Sequence, residues 1–242
     1  MKRKKLFVIV SLDGCDFGLL VKKLNHLLQG NKYNNNCVSM PNAIENLFEE
    51  VIKRYPHLVN WEGLSKNPRV SEAFFERHIA DGKVDWEWLC ENPGISETFF
   101  ERHLDKVDWR MLSSNPRVSE AFFERYLHKV HWSGLSFNQS LSEAFFERHL
   151  KNVDWWYLSW NPRISEAFWE RHLKNVDWYA LSANTNMSEA FFERHLDKVV
   201  WNTLSINPNM SEAFFERHLD KVIWNYLPQN PRISEAFFER HL

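Results

Sequence analysis

Eight tryptophans recur at an almost fixed interval: Trp61, Trp86, Trp109, Trp132, Trp155, Trp178, Trp201 and Trp224 are separated by 25 residues once and by 23 thereafter. A period of roughly 20 to 50 residues signals a stacked array of like supersecondary units rather than a globular domain. The longer first interval comes from residues 79–83, a two-residue loop insertion. Each unit reads approximately V-D-W-x-x-L-S-x-N-P-x-I-S-E-A-F-F-E-R-H-L-D-K. Eight copies cover residues 61–242, and 41–60 reads as a degraded ninth.

The unit at Asp108 shows how such a segment folds. Asp108 can cap a short helix over 109–114, and Asn115-Pro116 then turns the chain. Ser119 caps a second helix over 120–127, Glu120 puts a carboxylate on its first turn, and Val118 can staple against Phe123. At about 100° per residue, Phe122, Phe123, Tyr126 and Leu127 share one face of the second helix, while Trp109 and Leu112 share one of the first. Helices this short cannot offset their own nucleation cost and must bury those stripes against neighbouring repeats. The expected fold is an all-α solenoid of helix-turn-helix repeats over 61–242, behind a helical N-terminal cap over 1–60.

Within the cap, Phe17, Leu20, Val21, Leu24, Leu27 and Leu28 fall at helical spacing, as do Ile44, Leu47, Phe48, Val51, Ile52 and Tyr55. The β-prone run 6–10 leaves room for one short strand.

The tandem W-x-x-L-S-x-N-P units, each followed by a hydrophobic residue and a capping Ser or Thr, resemble helical repeats abundant in proteins of giant DNA viruses. Residues 155–162, WWYLSWNP, carry the likeness well. It departs at Gln139 and Thr185, where the proline is missing, and at Pro228, where the serine is, which puts local turn geometry in question. The resemblance implies a viral origin and a repeat scaffold, with no catalytic residues to carry over. The expected location is the cytoplasm of an infected host cell, with the virion as the alternative.

Composition narrows the function classes. Residues 1–60 carry nine basic and five acidic side chains, while 61–242 carry 21 and 27, a balance of −6 that opposes binding to a polyanion. Mean hydropathy is −0.50, and no window reaches the roughly 18 apolar residues of a membrane helix. The basic start at Lys2 and the apolar run 6–10 resemble a signal peptide, but the run stops at Ser11 without a small-residue cleavage site. Cys15, Cys37 and Cys90 form no metal or disulfide spacing, which suits a reducing compartment.

No P-loop, dinucleotide turn, nucleophile elbow or H-E-x-x-H appears, and no cofactor is expected. The histidine column His78, His103, His149, His172, His195, His218 and His241 invites a metal reading. Equivalent side chains in adjacent repeats should nevertheless lie about 8–10 Å apart, too far to share one zinc. A structural role is expected instead; if the rings are buried neutral, the array should lose stability between pH 7 and 5. The recurring Glu76 and Arg77 columns read as a salt-bridge ladder rather than an acid-base dyad.

A scaffold position repeats itself; a recognition position need not. The variable sites lie one, two and five residues after the repeated Trp, at about 100°, 200° and 140° from it, opposite the buried stripe. There the chain carries Trp88, Met111, Phe137, Trp156, Tyr157, Trp160 and Tyr179. An exposed aromatic patch usually marks an interaction site, so the expected function is a non-enzymatic scaffold binding a protein partner. Structural self-association, as a homodimer, through Phe237, Phe238 and Leu242 of the last repeat is the main alternative. An RNA reader using the variable positions ranks below it, because acidic Glu62, Glu87 and Glu91 share that face.

Overall fold

The computed structural model describes residues 45, 48, 49 and 51–241. The expected strand at 6–10, the helix through 17–28 and Leu242 lie outside them. Among the described residues there is no strand, and each of the first seven repeats is a pair of short helices. The fold is an all-α solenoid. Numbered in chain order, the first helices of the pairs are α1 (Trp61–Ser65), α3 (Trp86–Glu91), α5 (Trp109–Ser114), α7 (Trp132–Phe137), α9 (Trp155–Trp160), α11 (Trp178–Ala183) and α13 (Trp201–Ile206). The second helices are α2 (Glu72–His78), α4 (Glu97–Arg102), α6 (Glu120–Arg125), α8 (Glu143–Arg148), α10 (Glu166–His172), α12 (Glu189–Arg194) and α14 (Glu212–Glu216), with α15 (Glu235–His241) in the eighth repeat.

In the eighth repeat a 3-10 turn, Leu227–Gln229, replaces the first helix. Pro228 stands there at the serine position, and its missing N–H and fixed φ suit the opening of a tight turn better than a helix interior.

Each second helix starts at a serine in extended conformation whose side chain accepts the third N–H of the helix, as from Ser71 to Phe74 and from Ser165 to Phe168. It ends sooner than the sequence suggests. In α6 the Tyr126 N–H turns to Phe123 O at 3.0 Å, closing the last turn before Leu127. The two phenylalanines at the centre of the helix are fully buried in repeat after repeat; each side chain contributes about 1.5–3 kcal/mol of burial. The repeated Trp bridges the two helices of its own repeat. Trp132 lies 6.2 Å from Phe145 and 5.5 Å from His149, and Trp178 meets Phe191 and His195 in the same way. These tryptophans are half-buried rather than enclosed, which corrects the expected stripe: only Leu is sealed.

The chain divides into two compact units, Met1–Met111 and Leu112–Leu242. Each is stitched from repeat to repeat by polar bonds. In the second unit the Nδ2 of Asn138, Asn161, Asn184 and Asn207 donates to two carbonyls of the preceding repeat, the serine that ends its L-S pair and its own asparagine, at 2.9–3.3 Å. The Oδ1 of each asparagine accepts the N–H two residues on, as from Arg163 to Asn161 at 3.0 Å. This turn survives where proline is absent, from Ser140 to Asn138 and from Asn186 to Asn184, so the departures at Gln139 and Thr185 leave the turn geometry intact.

The hydroxyls of Ser113, Ser136, Ser159 and Ser182 accept the backbone N–H at the start of the next first helix, at 2.9–3.2 Å. The first-turn glutamate, read from sequence as a partner for the helix dipole, reaches into the next repeat. Glu120, Glu143, Glu166, Glu189 and Glu212 accept the N–H of the following capping serine at 2.5–2.6 Å.

The first unit follows the same plan. Asn92 donates to Ser65 O and Asn67 O, and Glu72 accepts from Ser96 N. Glu45 accepts from Ser71 N at 2.8 Å, and Phe48 packs edge-on against Phe74 at 6.3 Å, so Glu45 and Phe48 do for α2 what residues of a second helix do for its successor. Cys90 stands at the serine position, where burial pushes its thiol up to about 12. Gly94 is required by a close approach, since a Cβ there would lie 2.7 Å from Pro68 O. Gly82 turns the loop insertion with φ +64°.

Removing a buried amide leaves carbonyls unsatisfied, at about 1–3 kcal/mol each. Asn161→Ala is therefore expected to lower urea-unfolding stability by at least about 2 kcal/mol, and Asn161→Asp, which cannot donate, to do no better. The exposed Arg163→Ala should stay within about 0.5 kcal/mol; equal losses for Asn161→Ala and Arg163→Ala would show that the amide does not hold the seam.

Candidate functional site

In the second unit the first helices α7, α9, α11 and α13 contact one another in sequence. Their inward Leu135, Leu158, Leu181 and Leu204 have no exposure. The positions one and five residues after the Trp lie on the far side, whereas the second, expected there too, is buried at Ala180 and Thr203 and exposed at Tyr157, which corrects that part of the expected face. Phe137 is 46%, Trp156 45%, Tyr157 37% and Tyr179 50% exposed.

These rings form one connected chain. Phe137 meets Tyr157 at 6.5 Å, Tyr157 meets Trp156 at 4.7 Å, Trp156 meets Trp160 at 6.2 Å and Trp160 meets Tyr179 at 6.5 Å, all edge-on. The i,i+4 spacing of Trp156 and Trp160 on α9 brings the last two links together. Trp160 is half-buried between its neighbours, and its indole N–H is enclosed without an acceptor.

Two sequence-predicted residues stand apart from this chain. Trp88, in the first unit, is half-buried beneath the Lys66 ammonium, 3.1 Å from its ring centroid, and Lys66 is itself paired with Glu62. Met111 is half-buried in the same unit. Conversely, Tyr226 is 41% exposed two residues after Trp224, although it joins no other ring among the described residues. The rule that selected Tyr157 would have selected it too. Of the self-association residues, Phe237 is fully buried against Trp224 and His241, so it offers no surface to a second copy; Phe238 is half-buried.

The Glu-Arg-His columns form a second candidate. They pair between repeats: Arg148 Nη2 donates to Glu124 Oε1 at 2.8 Å while His149 Nε2 sits 3.1 Å from the same carboxylate. The pattern recurs at Glu147, Glu170, Glu193 and Glu216, and in the first unit Arg102 and His103 share Glu76. Arginine hydrogen bonds hold Glu76, Glu124 and Glu147 below the usual carboxylate range. At Glu170 and Glu193 burial is the largest influence and pushes upward, yet the Arg and His bonds together outweigh it. Exposed pairs of this kind are worth about 0–1 kcal/mol each, less than the buried seam. Among the described residues no three of His, Cys, Asp or Glu are placed to hold a metal ion. No helix among them is long and apolar enough to cross a membrane.

This geometry removes the premise of acid lability between pH 7 and 5, because a charge on any of these rings would face a carboxylate. The sensitive groups are the glutamates, whose folded values lie below the ordinary 4.5. Their contribution is fully present above that value and is lost as pH falls through the depressed ones. Acid unfolding followed by far-UV circular dichroism should therefore have its midpoint below pH 4.5; a midpoint between 5 and 7 would contradict the pairing. Compared with family models, curated proteins and solved structures, the chain finds no match.

Proposed function

We propose that this chain is a non-enzymatic repeat scaffold that binds a protein partner through the aromatic face of α7, α9 and α11. The observation that carries the reading is the connected series of rings from Phe137 to Tyr179, four of them between 37% and 50% exposed. The polar seam and buried Phe pairs are built from residues other than these. They vary between copies, whereas the seam residues recur. Rings held at this exposure keep apolar area in water, and desolvated Trp and Tyr are the favoured anchors of protein interfaces. Taken with the resemblance of the unit to giant-virus repeats, the proposed setting is an infected host cell.

The test compares wild type with Trp156→Ser plus Tyr179→Ser in affinity capture from nuclease-treated source-cell lysate, quantified by mass spectrometry. Both positions are exposed, so the helical circular dichroism should be unchanged. A protein captured by the wild type is expected to fall at least tenfold with the variant and to persist with Arg163→Ala. For that partner, Trp156→Ala alone should weaken binding about 30-fold, the equivalent of about 2 kcal/mol for an anchor residue. Equal capture by wild type and double variant would remove the face from the proposal.

A further inference from the structure

We propose that the occupant of this face is a proline-rich segment of the partner, laid across α7, α9 and α11 in the polyproline II conformation. This rests on the reading of the face as partner-binding.

The first argument is charge. None of the positions one, two and five residues after the Trp in α7, α9, α11 and α13 holds a charged side chain, whereas the same positions in α1 and α3 hold Glu62, Lys66, Glu87 and Glu91. A peptide bringing charged groups onto the neutral face would lose their hydration without gaining an ion partner. A proline-rich segment carries no charge that needs one.

The second argument is shape. Successive ring planes along the chain cross at 75°, 90°, 69° and 72°, so the series presents ring faces and ring edges in alternation. A compact pyrrolidine ring packs against such ring faces, and aromatic-lined surfaces recognise polyproline helices in this way.

The third is period. Polyproline II turns once in three residues at about 3.1 Å each, or about 9.3 Å per turn, close to the roughly 8–10 Å between packed helices. One turn then meets one repeat. An α-helical ligand, at about 5.4 Å per turn, does not keep step.

The fourth is hydrogen bonding. The polyproline backbone makes no internal hydrogen bonds, so its carbonyls accept from outside. The Tyr157 and Tyr179 hydroxyls and the Trp156 indole make no hydrogen bond to any described residue. Exposed on the face, these three donors are the ones a polyproline carbonyl can reach.

The test titrates labelled twelve-residue peptides with the full chain and reads fluorescence anisotropy. One peptide is all proline, one repeats Ala-Ala-Pro, and a Gly-Ser peptide is the control. Both proline peptides are expected to bind at least tenfold more tightly than Gly-Ser. Trp156→Ala and Tyr179→Ala should each weaken them at least fivefold, while Trp88→Ala leaves them unchanged; circular dichroism checks that all three variants fold. Proline peptides that bind no better than Gly-Ser, or equally to all variants, overturn the proposal. If that happens while the Trp156→Ser plus Tyr179→Ser variant still loses its captured protein, the face takes a partner of another kind. If the capture is also unchanged, the partner-binding reading fails as well.

Discussion

A buried primary amide has two donors and a carbonyl to satisfy, and at Asn92, Asn138, Asn161, Asn184 and Asn207 it uses them on both sides of a repeat boundary. In Asn161 the two N–H groups reach Ser136 O and Asn138 O in the repeat before, while the carbonyl holds the turn of its own repeat through Arg163 N. Helix ends leave carbonyls unsatisfied, and a side chain from the next repeat takes up two of them in each boundary it spans. The turn that separates two helices is thus also the joint between two repeats. Without it, helices of five to seven residues would have apolar contact but no fixed register.

The other recurring polar groups answer the same need at different heights. The serine hydroxyl closes the N–H that precedes the next first helix, and the glutamate closes the N–H of the next capping serine. These bonds engage groups that recur in the repeat, so the seam does not depend on which side chains occupy the variable positions. Trp156, Tyr157 and Tyr179 project their rings outward from that seam. The recurring positions carry the cohesion of the stack, and the variable ones are where the proposed recognition would lie.

Much of this was legible in the chain itself. The period and the apolar spacing led directly to α5 over 109–114 and to the caps at Ser119 and its equivalents, since both depend on local geometry. The connectivity between repeats was not legible. Asn-Pro read as a local turn and Glu120 as a dipole partner, because spacing along one repeat does not reveal what lies above it; persistence of a polar residue amid apolar neighbours was the available signal. The aromatic face was found from variability, but the half-burial of Trp160 required the packing of Trp156 and Tyr179 around it. The histidine column reads in sequence only as structural rings against the core, because the carboxylates that face them come from the preceding repeat.

Side chains of one repeat hold the backbone of the next. Native-state hydrogen exchange tests this residue by residue, at backbone N–H groups that have no acceptor within their own repeat's helices. Ser142, Ser165 and Ser188 donate to glutamates of the preceding repeat, and Asp154 and Asp177 to its serines. The account predicts that these amides exchange as slowly as the buried helical amides of Phe146 and Phe192. Exchange at the rate of exposed loop amides such as Lys151 would show that the seam does not hold in solution.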